Sequence, residues 1–322
     1  MPYHHISDTI QINYTIHQPA SSPASRARPP PRPWIVLING LADPQQTWSA
    51  QVPAFTSAGY TVLTYDNRGV GLSSRPSDDH EVYTAATMAS DLRHLITALA
   101  VPKPYHVLGV SMGGMIAQTY ALTYCLPGMD GQGEVEAGSE SESESEILTL
   151  TLACTYASPG PFCSRMFALW RDMARRMSVA DVMRDVALWA FTPAFFADES
   201  KKADVQAMEA EMAQIDTDMG LRSYLAQLNV ITTFDTRSVV GKLGAAGARG
   251  GKGRQMQVVV LVGEKDILIP VSLSRELHAL IEGSVFVSTL GGHACMWEFP
   301  DAFNTACLDV WREEEGRGVD VK

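Results

Sequence analysis

Residues Tyr105–Gln118 read YHVLGVSMGGMIAQ: an apolar run, a serine framed by Gly109 and Gly113, then a helical pattern. A short continuous apolar run is the mark of a strand buried on both faces. With a helix opening directly behind it, the chain must turn sharply at Ser111. The flanking glycines let strand and helix approach closely, and the serine Oγ projects from a strained apex. A backbone N–H just after it, that of Met112 at the new helix N-terminus, can then point at a developing negative charge. The stretch thus predicts both a buried sheet and an activated serine.

Working outward, the same kind of run recurs in WIVLING (Trp34–Gly40), YTVLTYD (Tyr60–Asp66), ILTLTLA (Ile147–Ala153), VVVLVG (Val258–Gly263) and SVFVSTLGG. Helical patterns lie between most of them, at Tyr83 onward, Met115 onward and Ser272 onward. Buried strands alternating with helices mean an α/β fold built on a mainly parallel, doubly wound sheet. The opening YHHISDTIQINYTIH alternates about an Asp-Thr turn and reads as an N-terminal antiparallel hairpin. Residues 158–235 contain helical patterns but no clear strand and hold seven of the fourteen methionines, so they read as a helical cap inserted into the core. The core is then residues 1–157 and 236–322. Three segments lie outside regular structure: a Pro/Ser/Arg linker at 18–33, an acidic Ser-Glu stretch at 128–146, expected to be a disordered loop, and a Gly-rich basic loop at 244–255.

Composition narrows the function. A formal charge of -11, concentrated in seven carboxylates between Asp130 and Glu146, argues against nucleic acid or an anionic membrane as partner. No run is long enough for a membrane span, and the N-terminus does not read as a secretory signal. Five cysteines without C-x-x-C pairing read as free thiols, placing the chain in the cytoplasm. No Cys/His cluster has metal-ligand spacing. No lysine follows the glycines as a phosphate loop requires, and DNRGVGLS lacks dinucleotide-binding spacing, so no metal and no cofactor is expected.

A serine hydroxyl needs a base, and the base an orienting acid, in the chain order Ser, Asp/Glu, His for this architecture. Among eight histidines only His293, in TLGGHACMWEFP, comes late and directly after a strand in a Gly-framed loop. Asp266 ends the VVVLVGEKD strand and turn, while the exit of the ILTLTLA strand carries no carboxylate; Glu264 and Asp301 are the fallback acids. The second N–H for an oxyanion comes from the loop NGLADPQQTW, with Leu41 as donor. Trp189, Phe195 and Ile267 are expected to line the substrate pocket; Arg165 and Arg171 are the cap cations open to an anionic substrate.

NGLADPQQTW, YDNRGVGLSSRP, GVSMGGMIAQ, LVGEKDILIP and GGHACMWEFP together resemble the α/β-hydrolase superfamily from about Trp34 to Trp311. Asn39 in the first motif and WAFTPAFF resemble, more narrowly, the β-ketoadipate enol-lactonase and small-carboxylesterase branch. The resemblance implies a nucleophile, acid and base at Ser111, Asp266 and His293, with Leu41 and Met112 forming the oxyanion hole. The expected function is hydrolysis of a small or medium-sized, mostly apolar ester or lactone. C–C bond hydrolysis by the same triad and a non-catalytic ligand-binding protein on this fold are the alternatives.

Overall fold

The computed structural model describes residues 2–19, 32–78, 80–126, 145–244 and 255–317. Eight strands form one sheet: β1 (Tyr3–His5), β2 (Gln11–His17), β3 (Ile35–Ile38), β4 (Val62–Tyr65), β5 (Tyr105–Val110), β6 (Ile147–Ala153), β7 (Gln257–Gly263) and β8 (Val285–Thr289). Their spatial order is β1-β2-β4-β3-β5-β6-β7-β8. The β1–β2 hairpin and the β2–β4 pairing are antiparallel, and every pairing from β4 through β8 is parallel. The expected hairpin and the mainly parallel sheet are both present.

Each residue of β3, β4, β5 and β6 is buried, which requires cover on both faces. Alternating side chains divide accordingly. Val36, Ile38, Leu63 and Val107 join one apolar cluster with α2 (Ala85–Ala98) and α3 (Met112–Tyr124). Ile35, Leu37, Val62 and Leu108 join another with Phe55 of α1 (Gln51–Ser57) and the C-terminal helix. That last helix, Pro300–Arg317, was not read from the sequence. Its buried Phe303, Cys307 and Trp311 recur every fourth residue, but a run of glutamates follows and masks the stripe. Trp311 packs edge-on against Phe55 at 4.9 Å and stacks on His106 at 5.3 Å. His106 is therefore a core residue, bonded through Nδ1 to Thr149 Oγ1 at 2.6 Å, and burial lowers its pKa.

Between β6 and β7 the described residues hold no strand; their helices include α4 (Pro161–Arg176), α5 (Val179–Ala190), α6 (Pro193–Ala197), α7 (Lys202–Asp218) and α8 (Gly220–Thr233), with a 3₁₀ turn at Glu199–Lys201 and helical residues at 242–244. Proline opens α4 and α6, where its missing N–H costs nothing, and the Ser178 hydroxyl caps α5 by accepting from Asp181 N. The chain then completes the core with α9 (Val271–Leu280), α10 (Cys295–Glu298) and α11, the C-terminal helix above. The strand sequence steps from β3 outward to β4 and then back across to β5, so the switch point falls between β3 and β5. Ligand crevices of open α/β sheets lie outside the strand ends at that point.

Most of the linker, the acidic stretch and the Gly-rich loop lie outside the described residues, and so does the expectation of disorder for 128–144. Glu146, at the end of the acidic stretch, is ordered: its carboxylate meets Arg93 at 2.8 Å and also Lys103. No helix among the described residues is long and apolar enough to cross a membrane.

The loop after β4 is anchored by a buried ion pair. Arg68 donates to both carboxylate oxygens of Asp91 on α2, at 2.6 and 2.5 Å, with its guanidinium 5.4 Å from the Tyr83 ring centre. Removing Asp91 leaves the buried Arg68 with only the longer ion pair to Glu81 at 3.7 Å, so Asp91→Ala should lower the unfolding free energy by about 3 kcal/mol in urea titration. A loss under about 1 kcal/mol would show that the pair is solvated and not structural.

Candidate active site

The turn between β5 and α3 has the geometry its sequence implies. Ser111 sits at φ 56°, ψ -119°, a conformation that a non-glycine residue holds only under restraint. Its N–H donates to Ala153 O at 2.9 Å, and its carbonyl accepts from Thr155 Oγ1 and Gly114 N, each at 2.9 Å. A Cβ on Gly109 would collide with the Gly113 carbonyl, and one on Gly113 with the Ile38 carbonyl. Only with both glycines can α3 start directly against β3 and β5. The helix begins at Met112, three residues before its apolar periodicity.

Asn39 holds the loop after β3. Its Nδ2 donates to Pro44 O at 3.1 Å and Thr47 Oγ1 at 2.7 Å, and its Oδ1 accepts from Trp48 Nε1 at 2.7 Å. Ala42 takes φ 65°, and its N–H donates to Gln227 Oε1 at 2.9 Å. Gln227 lies on α8, is fully buried, and donates through Nε2 to Arg68 O at 2.9 Å. One α8 side chain thus joins the loops after β3 and β4. Leu41 N–H and Met112 N–H make no hydrogen bond with any described residue; they belong to the loops that leave the neighbouring strands β3 and β5.

Asp266 and His293 come together after β7 and β8. Asp266 is 3% exposed; Oδ1 accepts from Ile269 N at 2.9 Å, and Oδ2 lies 2.9 Å from His293 Nδ1. Burial pushes the imidazole pKa down, but the Asp266 carboxylate, reinforced by Cys154 and Asp43, outweighs it and holds the pKa above the ordinary range. The two fallback acids stand apart, since Glu264 and Asp301 are exposed. Ser111 Oγ makes no hydrogen bond to His293 or to any other described residue, as is common where such contacts tighten only around a ligand.

The loop carrying His293 is fixed by a residue the sequence did not single out. Glu298, 4% exposed, accepts from Gly292 N at 2.6 Å through Oε2, and from Thr192 N and Thr192 Oγ1 at 2.6 and 2.7 Å through Oε1. Ala294 N donates to Ala190 O at 2.9 Å, so the His293 loop is clamped to the turn between α5 and α6. Beneath the pair, the Cys154 Sγ, an Asp266 oxygen and a His293 nitrogen lie within 4.8 Å of one another. The donor set could ligate a metal ion, but the imidazole–carboxylate hydrogen bond already engages two of the three groups.

The expected pocket residues have different surroundings. Trp189 packs edge-on with Phe162 at 6.0 Å, whereas Phe195 stacks on Phe191 at 4.5 Å and is 8% exposed. Ile267, 51% exposed, directly follows Asp266.

The family model described as the alpha/beta hydrolase fold matches residues 33–300. RutD of Escherichia coli, named for carbamate hydrolysis, is 24% identical over 291 residues, covering 87% of this chain and 93% of that protein. BpoC of Mycobacterium tuberculosis, named a non-heme bromoperoxidase, is 44% identical over 85 residues; that match spans only 26% of this chain and 30% of that protein. The enol-lactonase structure from Burkholderia xenovorans shares the fold at a TM-score of 0.70 and 22% identity, covering 96% of this chain and 98% of that one. With the family model running from the linker's end to the start of the C-terminal helix, and the sheet, sharp turn and late histidine in that order, the chain belongs to the α/β hydrolase fold family.

Proposed function

We propose that the protein is a serine hydrolase of small or medium-sized carboxylic esters or lactones, working through an acyl-enzyme. The observation that carries this reading is the buried Asp266–His293 hydrogen bond at the same strand ends that present Ser111 in its strained turn. Ser111 Oγ attacks the carbonyl carbon as His293 Nε2 takes its proton. Asp266, bonded to Nδ1, orients the ring and stabilises the imidazolium. The carbonyl oxygen becomes an oxyanion facing the two unengaged donors, Leu41 N–H and Met112 N–H. Collapse expels the alcohol, which receives the proton from His293; water then repeats the sequence in reverse and frees Ser111.

The helices of 158–235 act as the cap that sets substrate choice, with Trp189 offering an incompletely buried ring. Phe195 serves mainly to pack the cap. Five free cysteines support work in a reducing, cytoplasmic setting on a small-molecule substrate.

Ser111→Ala should abolish labelling by a fluorophosphonate and lower ester turnover roughly 10⁴-fold with the melting temperature retained. Labelling that persists in this variant would place the nucleophile elsewhere.

Because His293 must be neutral to accept the proton, and its pKa is raised, kcat/KM should climb with pH through a limb lying above the ordinary histidine value of about 6.5. A limb at or below that value would contradict the assignment.

Glu298→Ala leaves the Gly292 and Thr192 N–H groups unpaired and frees the His293 loop. It should lower kcat about 10- to 100-fold with little change in KM, and Glu298→Gln should restore part of the loss. An unchanged kcat in Glu298→Ala would remove Glu298 from the positioning of the base.

A further inference from the structure

The two cap cations open to an anionic substrate are engaged elsewhere. Arg165 is exposed and donates to Pro161 O of its own helix at 2.9 Å, and Arg171 donates to Thr232 Oγ1 on α8 at 3.3 Å. The charge that does approach the nucleophile has the opposite sign. A Cβ built on Gly40 would lie 2.9 Å from Asp43 Oδ2 and 3.5 Å from Ser111 Cβ, so carboxylate and nucleophile flank the same glycine. Asp43 is also close enough to His293 for each to shift the other's proton affinity.

The other acids around the site have clear partners. Asp66 accepts from Gln45 N and Leu72 N, Asp91 pairs with Arg68, Asp266 with His293, and Glu298 with two loop amides. The carboxylate of Asp43 forms no hydrogen bond or ion pair with a described residue, although the residue is part-buried. A part-buried charge without a partner costs stability, and here burial raises the carboxyl pKa to about 7. The nearby His293 offsets only part of that cost, and the place of Asp43 between the loop after β3 and Ser111 gives it a direct effect on what can approach the nucleophile.

We propose that Asp43 sets the charge preference of the site: it turns away substrates with a carboxylate near the scissile carbonyl and leaves neutral or cationic esters and lactones as the substrate class. This inference rests on the ester and lactone reading above. It separates the protein's substrate from any lactone that carries a free carboxylate.

The test compares kcat/KM, at alkaline pH where Asp43 is ionised, for a neutral para-nitrophenyl alkanoate and the para-nitrophenyl half-ester of a dicarboxylic acid of equal length. The wild type should prefer the neutral ester. Asp43→Asn, which keeps the shape, should improve the half-ester relative to the neutral ester by about tenfold to a hundredfold, the range for like charges several ångströms apart in a part-buried site. Asp43→Ala should change the ratio in the same direction, guarding against a fault peculiar to the amide. Ser111→Ala should lose both activities. Ratios unchanged in both Asp43 variants, with Ser111-dependent hydrolysis intact, would overturn the charge filter and leave the hydrolase reading standing. Absence of Ser111-dependent hydrolysis of either ester would overturn both.

Discussion

Gly113 lies so close to the Ile38 carbonyl that a Cβ there would collide with its oxygen, and the Gly113 carbonyl itself fills the space where Gly109 would carry a side chain. Because neither glycine has a Cβ, β3, β5 and α3 meet with no spacer, and Ser111 is forced to positive φ at their junction. The strain is restrained by bonds from three directions: to β6 through Ala153, to the loop beyond it through Thr155, and into the helix through Gly114. The same close approach brings the loop after β3 beside the start of α3. That closeness is what the proposed pairing of the Leu41 and Met112 N–H groups around one oxyanion depends on.

The helices between β6 and β7 are joined to the rest of the fold by polar ties as well as apolar packing. Gln227 joins the loops after β3 and β4, and Glu298 joins the His293 loop to Thr192 between α5 and α6. Both are buried, and each satisfies backbone donors or acceptors that the irregular loops leave over. Movement of α5 or α8 would therefore reach the His293 loop and the loop after β3 through direct bonds. Such fixed attachments suit a site whose groups must be held to fractions of an ångström.

Much of this was legible in the sequence because the chemistry sits where regular structure stops. Ser111, Asp266 and His293 each come after an apolar strand, and glycines frame the first and last of them, so local pattern and chain order single them out as candidates; the structure pairs Asp266 with His293 and sets Ser111 in a strained turn. Gln227, Glu298 and Asp43 were not legible. A glutamine on an amphipathic helix, a glutamate ahead of a proline and an aspartate in a turn are ordinary residues until folding brings their partners from far along the chain. Helix α11 escaped for a local reason, its four-residue apolar stripe running into the glutamates after Trp311. The pocket reading from WAFTPAFF was limited likewise: composition shows that the cap is aromatic, but only packing separates Phe195, stacked on Phe191, from the less buried Trp189.

The central claim is that Ser111 stands opposite two converging amides and beside a proton-accepting imidazole. A crystal structure of the protein after reaction with a phosphonate ester tests it most directly. The account predicts a covalent bond from Ser111 Oγ to phosphorus, with one phosphoryl oxygen about 3 Å from both Leu41 N and Met112 N and His293 Nε2 within hydrogen-bond reach of another. A phosphonate bound to a different residue, or one on Ser111 whose oxygens all face away from those amides, would contradict it.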